Sequence, residues 1–456
     1  MTTGMAIKVT KTTMVKPAAA TPRHVLRTSI LDQMVPRYIH VPTVYFYRPA
    51  PPPPVSPTAM VDDFFDSAIL KEALRKVLIP FYPVAGRLMA SSSESGRIDI
   101  NCNGEGALFV EAQTSSVVDD FGDFVPSPKL RTLVPTVDYS AGLSSYPLLL
   151  VQVTYFKCGG VSIGVAMDHH VVDGFSALHF FNTWSDMARG IDIKTPPFID
   201  RTILCARNPP KPVFDHIEYK LPSLTMKTTT TTTITTQTST KSIDVAIYKL
   251  SNEQLKTLKA KCGNTKNGTK LSYSTFEILA GHVWKCACKA RKLGHDQETK
   301  LHIVVDGRFR FQPPLPPGYL GNVIFSTTPI VKVEELVHSK LWYAANQIQS
   351  TLRETDDSYL RSAIDYLELQ PDISVLSRGP HTFGSPNLGI VSWVRLPFYD
   401  ADFGWGRPIF VGPAAILFDG LVYLMNNPND DDGSLSVAIG LQHEHMKEFE
   451  KLLYDM

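Results

Sequence analysis

Two kinds of hydrophobic pattern recur along the chain and predict alternating strands and helices. Amphipathic segments with apolar residues three and four apart predict helices, while short apolar runs between polar turns predict strands. The helix predictions are SAILKEALRKVLIPFY, SNEQLKTLKAKC and STFEILAGHVWKCACKARKL, and the strand predictions are PLLLVQVTYF, SIDVAIYKL, KLHIVVDGRF and SLSVAIGLQ. Both kinds occur in both halves without a fixed repeat, so the pattern predicts an α/β fold.

A threonine-rich segment divides the chain into two halves of similar size. The tract Thr228–Thr240 has almost no apolar partners and cannot bury enough surface to offset its ordering entropy. We therefore predict an N-terminal domain over 1–205, a mobile crossover over 206–245 and a C-terminal domain over 246–456. A second flexible stretch is predicted at Pro51–Pro57. Two packed domains place the expected site between them.

Composition and charge argue against several classes of partner. The 45 Lys and Arg residues balance 44 Asp and Glu residues, giving a net charge of +1, so neither nucleic acid nor an anionic membrane is expected as the partner. No apolar run approaches the roughly 20 residues that span a bilayer, and the first residues lack the apolar core of a secretory signal. The six cysteines have no zinc-site spacing and are expected to be reduced. The prediction is a cytoplasmic protein without a metal.

An ionisable cluster interrupts an apolar segment in the run VSIGVAMDHHVVDGFSALHFF. His169 and His170 end a strand-like segment, and Gly174 opens a helix-like one. Histidine exchanges protons near neutral pH, so this pair is either catalytic or a satisfied core group. Neighbouring residues of an extended segment point to opposite faces, which argues against one shared metal ion. The phosphate-loop, GxGxxG and GxSxG motifs are absent, so neither a nucleotide cofactor nor a serine nucleophile is predicted.

The HHVVDG motif, taken with a distant DFGWG motif at Asp402–Gly406, resembles the plant BAHD acyltransferases. The likeness covers nearly the whole chain, including VYFYRP, FYPVAGRL, LPPGYLGNVIF and SPNLGIVSWVRLPFYDADFGWGRPIF. Within the family the chain is most similar to the hydroxycinnamoyl-CoA:shikimate or quinate hydroxycinnamoyltransferases of plant phenylpropanoid metabolism. The resemblance implies two chloramphenicol-acetyltransferase-like domains with the active site in a channel at their interface. It implies no cofactor, because the coenzyme A thioester is a substrate.

The resemblance also assigns roles to residues of the two motifs. His169 would be the general base that takes the proton of the acceptor hydroxyl during direct attack on the thioester. Trp405 would donate its indole N–H to the oxyanion that forms. Asp173 would point away from the reaction and pair with an arginine, for which Arg308 is the candidate. The resemblance makes Asp402 an anchor of its own loop.

Glycine at position 174 is expected to permit a tight turn that aims His169 inward. Three basic residues, Lys241, Lys256 and Arg291, are candidates for binding the coenzyme A phosphates, with a solvated surface charge as the alternative for each.

Acceptor-binding residues follow from the same likeness, with two departures from it. Arg378 stands where shikimate-using relatives hold the acceptor carboxylate, and a guanidinium can bind a carboxylate through two hydrogen bonds. Val391 replaces a threonine hydroxyl of those relatives, and the segment with His40 and Val41 also differs. A site that lacks such hydrogen bonds discriminates against a polyol. The sequence therefore does not select one acceptor, and the candidates are shikimate, quinate, tartrate, malate and a hydroxyphenyllactate-type acid.

The function predicted from these residues is transfer of a p-coumaroyl or caffeoyl group from its coenzyme A thioester to a hydroxyl of a small acid, by a monomer. Two alternatives stay open. One is an N-acyltransferase with an amine acceptor, against which the positive charge of Arg378 argues for polyamines. The other is a non-catalytic protein that binds acyl-CoA or a metabolite and keeps the fold.

Overall fold

The structure is a computed structural model that describes residues 6–49, 64–92, 96–220, 242–262, 265–266, 269–270, 272–427 and 433–456. Pro51–Pro57 and Thr228–Thr240 lie outside these ranges, so their predicted flexibility stays a prediction. The strands are β1 Ile7–Val15, β2 Val25–Leu26, β3 His40–Tyr47, β4 Arg87–Ala90, β5 Ile98–Asn101, β6 Ala107–Thr114, β7 Leu149–Phe156, β8 Val161–Asp168, β9 Ile243–Leu250, β10 Thr265–Lys266, β11 Thr269–Lys270, β12 Glu298–Asp306, β13 Ile324–Thr327, β14 Ile330–Lys332, β15 Leu388–Ser392, β16 Phe410–Pro413, β17 Leu421–Asn426 and β18 Leu435–Gln442. The helices are α1 Ser67–Val77, α2 Pro128–Arg131, α3 Gly174–Ala188, α4 Asn252–Cys262, α5 Thr275–Ala290, α6 Val333–His338, α7 Leu341–Glu354, α8 Asp357–Glu368, α9 Pro380–Phe383 and α10 His443–Tyr454.

Two large sheets organise the chain, which confirms the two-part α/β prediction. The first has the strand order β1-β6-β7-β8-β3-β16, and helices α1 and α3 share a hydrophobic core with it. The second has the order β13-β12-β15-β17-β18-β9 and forms a core with α5, α7 and α10. Parallel pairing occurs between β12 and β15, whose connection contains α6 to α9, and between β15 and β17, whose connection contains β16 of the first sheet.

One strand of the first sheet comes from the C-terminal half. Strand β16 pairs antiparallel with β3, with Phe410 opposite Phe46 and Pro413 opposite Thr43. The boundary between the sheets in space is therefore not the boundary predicted along the sequence, since residues 410–413 complete the sheet that residues 1–205 otherwise build.

Capping residues and prolines set the ends of the predicted helices. Ser274 and Glu277 form a capping box at the start of α5, and the positive φ of 50° at Lys292 follows its end. Helix α1 ends at Val77, earlier than predicted, because Pro80 and Pro83 cannot continue an α-helix. The predicted strands around residues 147–156, 242–250, 300–309 and 434–442 are confirmed as β7, β9, β12 and β18.

Two parts of the predicted crossover are described: residues 206–220 pack against α8, and residues 243–245 begin β9, so neither part is a mobile linker. The backbone N–H of Arg207 donates to Asp365 Oδ1 at 2.9 Å, and that of Val213 donates to Ser362 Oγ at 2.8 Å. Tyr219 is buried in the small core beside α8. These contacts hold the chain along α8 up to residue 220; residues 221–241 lie outside the described ranges.

Candidate active site

A chamber of about 300 Å³ lies where the two sheets face each other. Its walls come from β3, β8 and α3 on one side and from β12, β15 and β17 on the other. The lining is mainly apolar, with a small number of polar groups, as in many small-molecule sites. This confirms the prediction of a site at the interface.

His169 enters this chamber directly from the end of β8. Its backbone N–H donates to the Ile39 carbonyl at 3.1 Å, and its carbonyl accepts from Asn322 Nδ2 at 2.8 Å. The imidazole lines the chamber, while its Nδ1 atom is buried and without a hydrogen-bond partner among the described residues. This leaves Nε2 as the nitrogen that a substrate can reach. The second histidine turns away, because His170 Nδ1 lies 2.9 Å from Asp168 Oδ1 in the protein interior.

The surroundings of His169 favour its neutral form. Burial lowers the pKa of this imidazole below its ordinary value of 6.5, and the positive charge of Arg378 acts in the same direction. The carboxylate of Asp173 and the residue's own backbone oppose the shift only partly. A neutral imidazole can accept a proton, so His169 meets the requirement for a general base at neutral pH.

Asp173 caps helix α3 and is held by a buried arginine, as predicted. Its carboxylate accepts from Arg308 Nη1 at 2.7 Å and Nη2 at 2.9 Å, and from the backbone N–H groups of Ser176 and Val323 at 3.0 and 2.9 Å. These contacts hold the pKa of the Asp173 carboxyl below its usual value against the opposing effect of burial. The pair joins the N-terminal half to the loop after β12 and leaves no lone pair of Asp173 for proton transfer.

Arg308→Ala is expected to destabilise the fold by about 3–5 kcal/mol, because it leaves the buried carboxylate of Asp173 without its counter-charge. Urea unfolding followed by tryptophan fluorescence measures the change. The matched control is Arg75→Ala, whose ion pair with Glu72 is about half exposed and is expected to contribute at most about 1 kcal/mol. Equal losses in the two variants would contradict a structural role for the buried pair.

The tight-turn interpretation of Gly174 is wrong. Gly174 is the first residue of α3 and does not have a positive φ. A Cβ atom built there would lie 3.5 Å from Leu396 Cδ1, an ordinary contact. The direction of His169 comes instead from the hydrogen bonds of its own backbone and from the cap at Asp173.

Asp402 anchors its loop, as predicted, but the loop does not bring Trp405 to the chamber. Asp402 Oδ1 accepts from the backbone N–H groups of Gly404 and Gly406 at 2.8 and 3.0 Å, and both glycines have positive φ. This turn packs the Trp405 ring against Phe65 in a tilted arrangement at a centroid distance of 4.9 Å. Trp405 is not among the chamber-lining residues, so the assignment of its indole as the oxyanion donor is contradicted.

A different tryptophan lines the chamber. Trp393 follows strand β15 directly, two residues after Val391 and on the same face. Its ring packs against Phe398 and Tyr423, at centroid distances of 4.4 and 5.0 Å, which fixes the indole plane. The indole N–H makes no hydrogen bond to any residue that the structure describes. Sequence reasoning missed Trp393, although strand periodicity counted from Val391 points to it.

Of the four residues predicted on the acceptor side, Val41, Val391 and Arg378 line the chamber and His40 does not. Strand alternation turns Val41 into the chamber and His40 to the other face of β3. There His40 Nδ1 lies 2.9 Å from the Tyr139 hydroxyl, and Nε2 lies 3.0 Å from the Pro147 carbonyl. The assignment of His40 to the acceptor site is therefore wrong. Its two contacts instead attach the outer face of β3 to Tyr139 and Pro147.

Arg378 reaches the chamber from the segment just before α9. Phe383 of α9 packs so closely on β15 that a Cβ atom at Gly389 would lie 2.2 Å from its ring. The Nε and Nη2 atoms of Arg378 are buried and have no hydrogen-bond partner among the described residues, and the guanidinium interacts with the Tyr219 hydroxyl. Burial lowers the pKa of Arg378 from its usual value, yet arginine keeps its charge at neutral pH. A buried guanidinium with two unpartnered nitrogens is suited to bind an anion.

The three candidates for binding coenzyme A phosphates differ in their exposure and in their contacts. Lys241 lies outside the described residues, and Lys256 is exposed on α4. Arg291 is buried, donating to the Asn387 carbonyl at 2.5 Å and to Asp419 Oδ1 at 3.1 Å. Arg291 therefore belongs to the protein interior and is not free to bind a phosphate.

The described residues contain no group of three His, Cys, Asp or Glu side chains that could hold a metal ion. In the same ranges, none of the helices combines the length and the apolar character that a bilayer crossing requires. The six cysteines form no disulfide, and four of them are buried.

A neutral histidine and a buried guanidinium that line one chamber fit the class of enzymes that transfer a group between two small substrates with the help of a general base. Comparison with known proteins specifies this class further. The family model described as the Transferase family matches residues 5–456. The chain belongs to this family, the BAHD acyltransferases, and is an acyl-transferring enzyme.

The relatives of the chain match it over its whole length. Shikimate O-hydroxycinnamoyltransferase of Nicotiana tabacum is 56% identical over 451 residues, covering 99% of this chain and 100% of the relative. A hydroxycinnamoyltransferase of Narcissus pseudonarcissus is 51% identical, with the same coverage. Among solved structures, vinorine synthase superposes with a TM-score of 0.72 at 22% identity, covering 97% of this chain and 96% of that one, which shows the shared fold.

Proposed function

We propose that this enzyme transfers a hydroxycinnamoyl group, p-coumaroyl or caffeoyl, from its coenzyme A thioester to a hydroxyl of a small hydroxy-carboxylic acid such as shikimate, quinate or tartrate. The observation that carries the proposal is that His169 and the unpaired guanidinium of Arg378 line the same chamber. The activity named for the Nicotiana tabacum relative supports both the donor and the acceptor class.

His169 begins the reaction by accepting the proton of the acceptor hydroxyl on Nε2. The hydroxyl oxygen attacks the thioester carbonyl carbon, forming a C–O bond and placing negative charge on the carbonyl oxygen. The tetrahedral intermediate then collapses, the C–S bond breaks, and the coenzyme A thiolate takes the proton from the imidazolium. Direct transfer requires both substrates in the chamber at once and no acyl-enzyme.

Trp393 is the proposed donor to the oxyanion, in place of Trp405. Trp393 lines the chamber, and its indole N–H, which can donate but not accept, has no hydrogen-bond partner among the described residues. Packing by Phe398 and Tyr423 holds it in place before the charge develops, which is the condition for effective electrostatic stabilisation.

The lowered pKa of His169 predicts where activity falls with acidity. The base works only when neutral, so the rate stays high above its pKa and falls as the pH drops through it. The acid limb of kcat/KM against pH is therefore expected below pH 6.5. Initial rates of thiol release from p-coumaroyl-CoA between pH 4.5 and 8 measure the limb. A midpoint above 6.5 would contradict a base desolvated in this chamber.

Replacing Arg378 tests which class of acceptor the enzyme uses. Coenzyme A release from p-coumaroyl-CoA and caffeoyl-CoA would be measured with shikimate, quinate, tartrate, malate, 4-hydroxyphenyllactate and spermidine. Arg378→Ala is expected to lower kcat/KM for the acids by about 10²-fold or more, because a charge-assisted, bidentate contact is lost. Binding of p-coumaroyl-CoA, followed by calorimetry, should be unchanged, which separates acceptor binding from donor binding. Turnover with spermidine alone would instead favour the N-acyltransferase alternative.

We further propose that the enzyme acts in the cytoplasm as a monomer. The chamber is lined by residues of one chain, which supports the monomer part of this proposal.

A further inference from the structure

The C-terminal sheet presents a ladder of side chains to the chamber that fixes what lies beside Arg378. On β12, His302, Val304 and Asp306 share one face because strand side chains alternate. Val304 pairs with Ser326 across the β12–β13 contact, and Val391 pairs with Tyr423 across the β15–β17 contact.

Val304 and Val391 are neighbours in this ladder. The parallel register of β12 and β15 runs from Leu301 with Leu388 to Ile303 with Ile390, so the next position brings the two valines side by side. Both line the chamber. They form an apolar strip on the wall of the chamber that the C-terminal sheet supplies, which we call the valine strip.

The valine strip lies next to Arg378, the residue proposed to bind the carboxylate of the acceptor. Arg378 lines the chamber and also a smaller cavity behind it, and that cavity is lined by His302 and Ser326. His302 precedes Val304 by one step on the same face, and Ser326 is the cross-strand partner of Val304. Val304 is therefore adjacent to both residues that flank Arg378, and the strip extends from there toward Trp393.

The polar groups around this end of the chamber are already engaged. His302 Nδ1 lies 3.1 Å from Thr328 Oγ1, and burial with nearby cations lowers the pKa of His302 to about 3, so its ring is neutral. The Tyr219 hydroxyl accepts from the Ser326 backbone N–H at 3.3 Å and interacts with Arg378. Neither group is free to bind several hydroxyls of a substrate.

The opposite wall is also mainly apolar where it faces the valine strip. Val41 lines it from β3, and Met167 lies beside Val41 in the β3–β8 pairing and lines the chamber too. Thr43 supplies one hydroxyl further along the same strand.

Asp306 also lines the chamber, but its Oδ1 already accepts from the backbone N–H and Nη1 of Arg308, at 2.9 and 3.1 Å, and Ser392 supplies a second hydroxyl. An acceptor bound between the walls is thus mainly in contact with valine and methionine side chains over its body and with a cation at one end.

We propose that the preferred acceptor is an aromatic hydroxy acid, with its carboxylate on Arg378 and its ring against the valine strip, rather than a polyhydroxylated alicyclic acid; this rests on the proposed function. Buried hydroxyls without partners cost about 1–3 kcal/mol each, whereas an aromatic ring gains from the same apolar surface. Val391 is then the specificity-determining residue, because a threonine in its place would offer a hydroxyl in the middle of the strip.

The test compares 4-hydroxyphenyllactate with shikimate as acceptors for p-coumaroyl-CoA, using the full-length enzyme and kcat/KM from thiol release. We expect 4-hydroxyphenyllactate to exceed shikimate by roughly 10- to 100-fold. Val391→Thr should raise kcat/KM for shikimate by roughly tenfold and leave 4-hydroxyphenyllactate equal or lower. Val391→Ala is the matched control: it changes volume without adding a hydroxyl and should not improve shikimate.

The outcomes distinguish this inference from the function on which it rests. A wild-type preference for shikimate, or equal effects of the threonine and alanine variants on the ratio, would overturn the aromatic-acceptor inference alone. No thiol release with any acid, in a preparation that binds p-coumaroyl-CoA, would overturn the proposed function and the inference together. Retained turnover of 4-hydroxyphenyllactate by the threonine variant shows that it is folded.

Discussion

Replacing His169 with alanine is expected to lower kcat for acyl transfer by about 10²- to 10⁴-fold, the usual contribution of a positioned general base. The imidazole is neutral, lines the chamber and has its backbone fixed by Ile39 and Asn322, so its loss removes the proton acceptor without removing the walls. Thiol release under saturating donor and acceptor measures kcat, and calorimetric titration with p-coumaroyl-CoA shows whether the donor still binds.

The matched control for this histidine is His443→Ala on helix α10. The side chain of His443 is 79% exposed and contacts Asp244, outside the chamber lining. It should keep the rate of the unaltered enzyme. A His169→Ala enzyme that retains more than about a tenth of kcat would mean that another group removes the proton, since this lies outside the range for general-base catalysis.

Trp393→Phe is expected to lower kcat by about 10²- to 10³-fold, the range observed when one oxyanion donor is removed. The variant keeps the aromatic packing on Phe398 and Tyr423 but loses the N–H. The loss should appear in kcat more than in KM, because the charge on the carbonyl oxygen develops only in the transition state.

The same substitution at the other tryptophan is the control. Trp405→Phe changes a ring that packs against Phe65 and does not line the chamber, so its effect on kcat should be small. Steady-state rates of the two variants decide which tryptophan donates to the oxyanion. A large loss at Trp405 with none at Trp393 would restore the assignment that the DFGWG motif suggested.

Much of the architecture follows from local pattern. The apolar spacing of α5, the amphipathic face of α1 and the apolar run of β8 are short-range features, and each predicted its element. The origin of β16 could not be predicted in this way. Its pairing with β3 joins residues more than 350 positions apart, and no local pattern carries that information.

The candidate site shows the same division between local and distant information. The pair of Asp173 and Arg308 and the placement of Arg378 and Val391 followed from motifs. Trp405 and His40 were misplaced, because a motif identifies a residue but not the face toward which it points. One step of strand alternation sends His40 behind β3, and a turn with two positive φ values carries Trp405 away.

The donated strand β16 makes the two halves dependent on each other during folding. Without residues 410–413, β3 would be an open sheet edge, and its VYFY run would present unpaired backbone groups beside large apolar side chains. An N-terminal fragment made alone would therefore be prone to self-association through that edge. On a ribosome the first sheet must wait for nearly the whole chain before its last strand is available, so completion of the N-terminal sheet is a late event in synthesis.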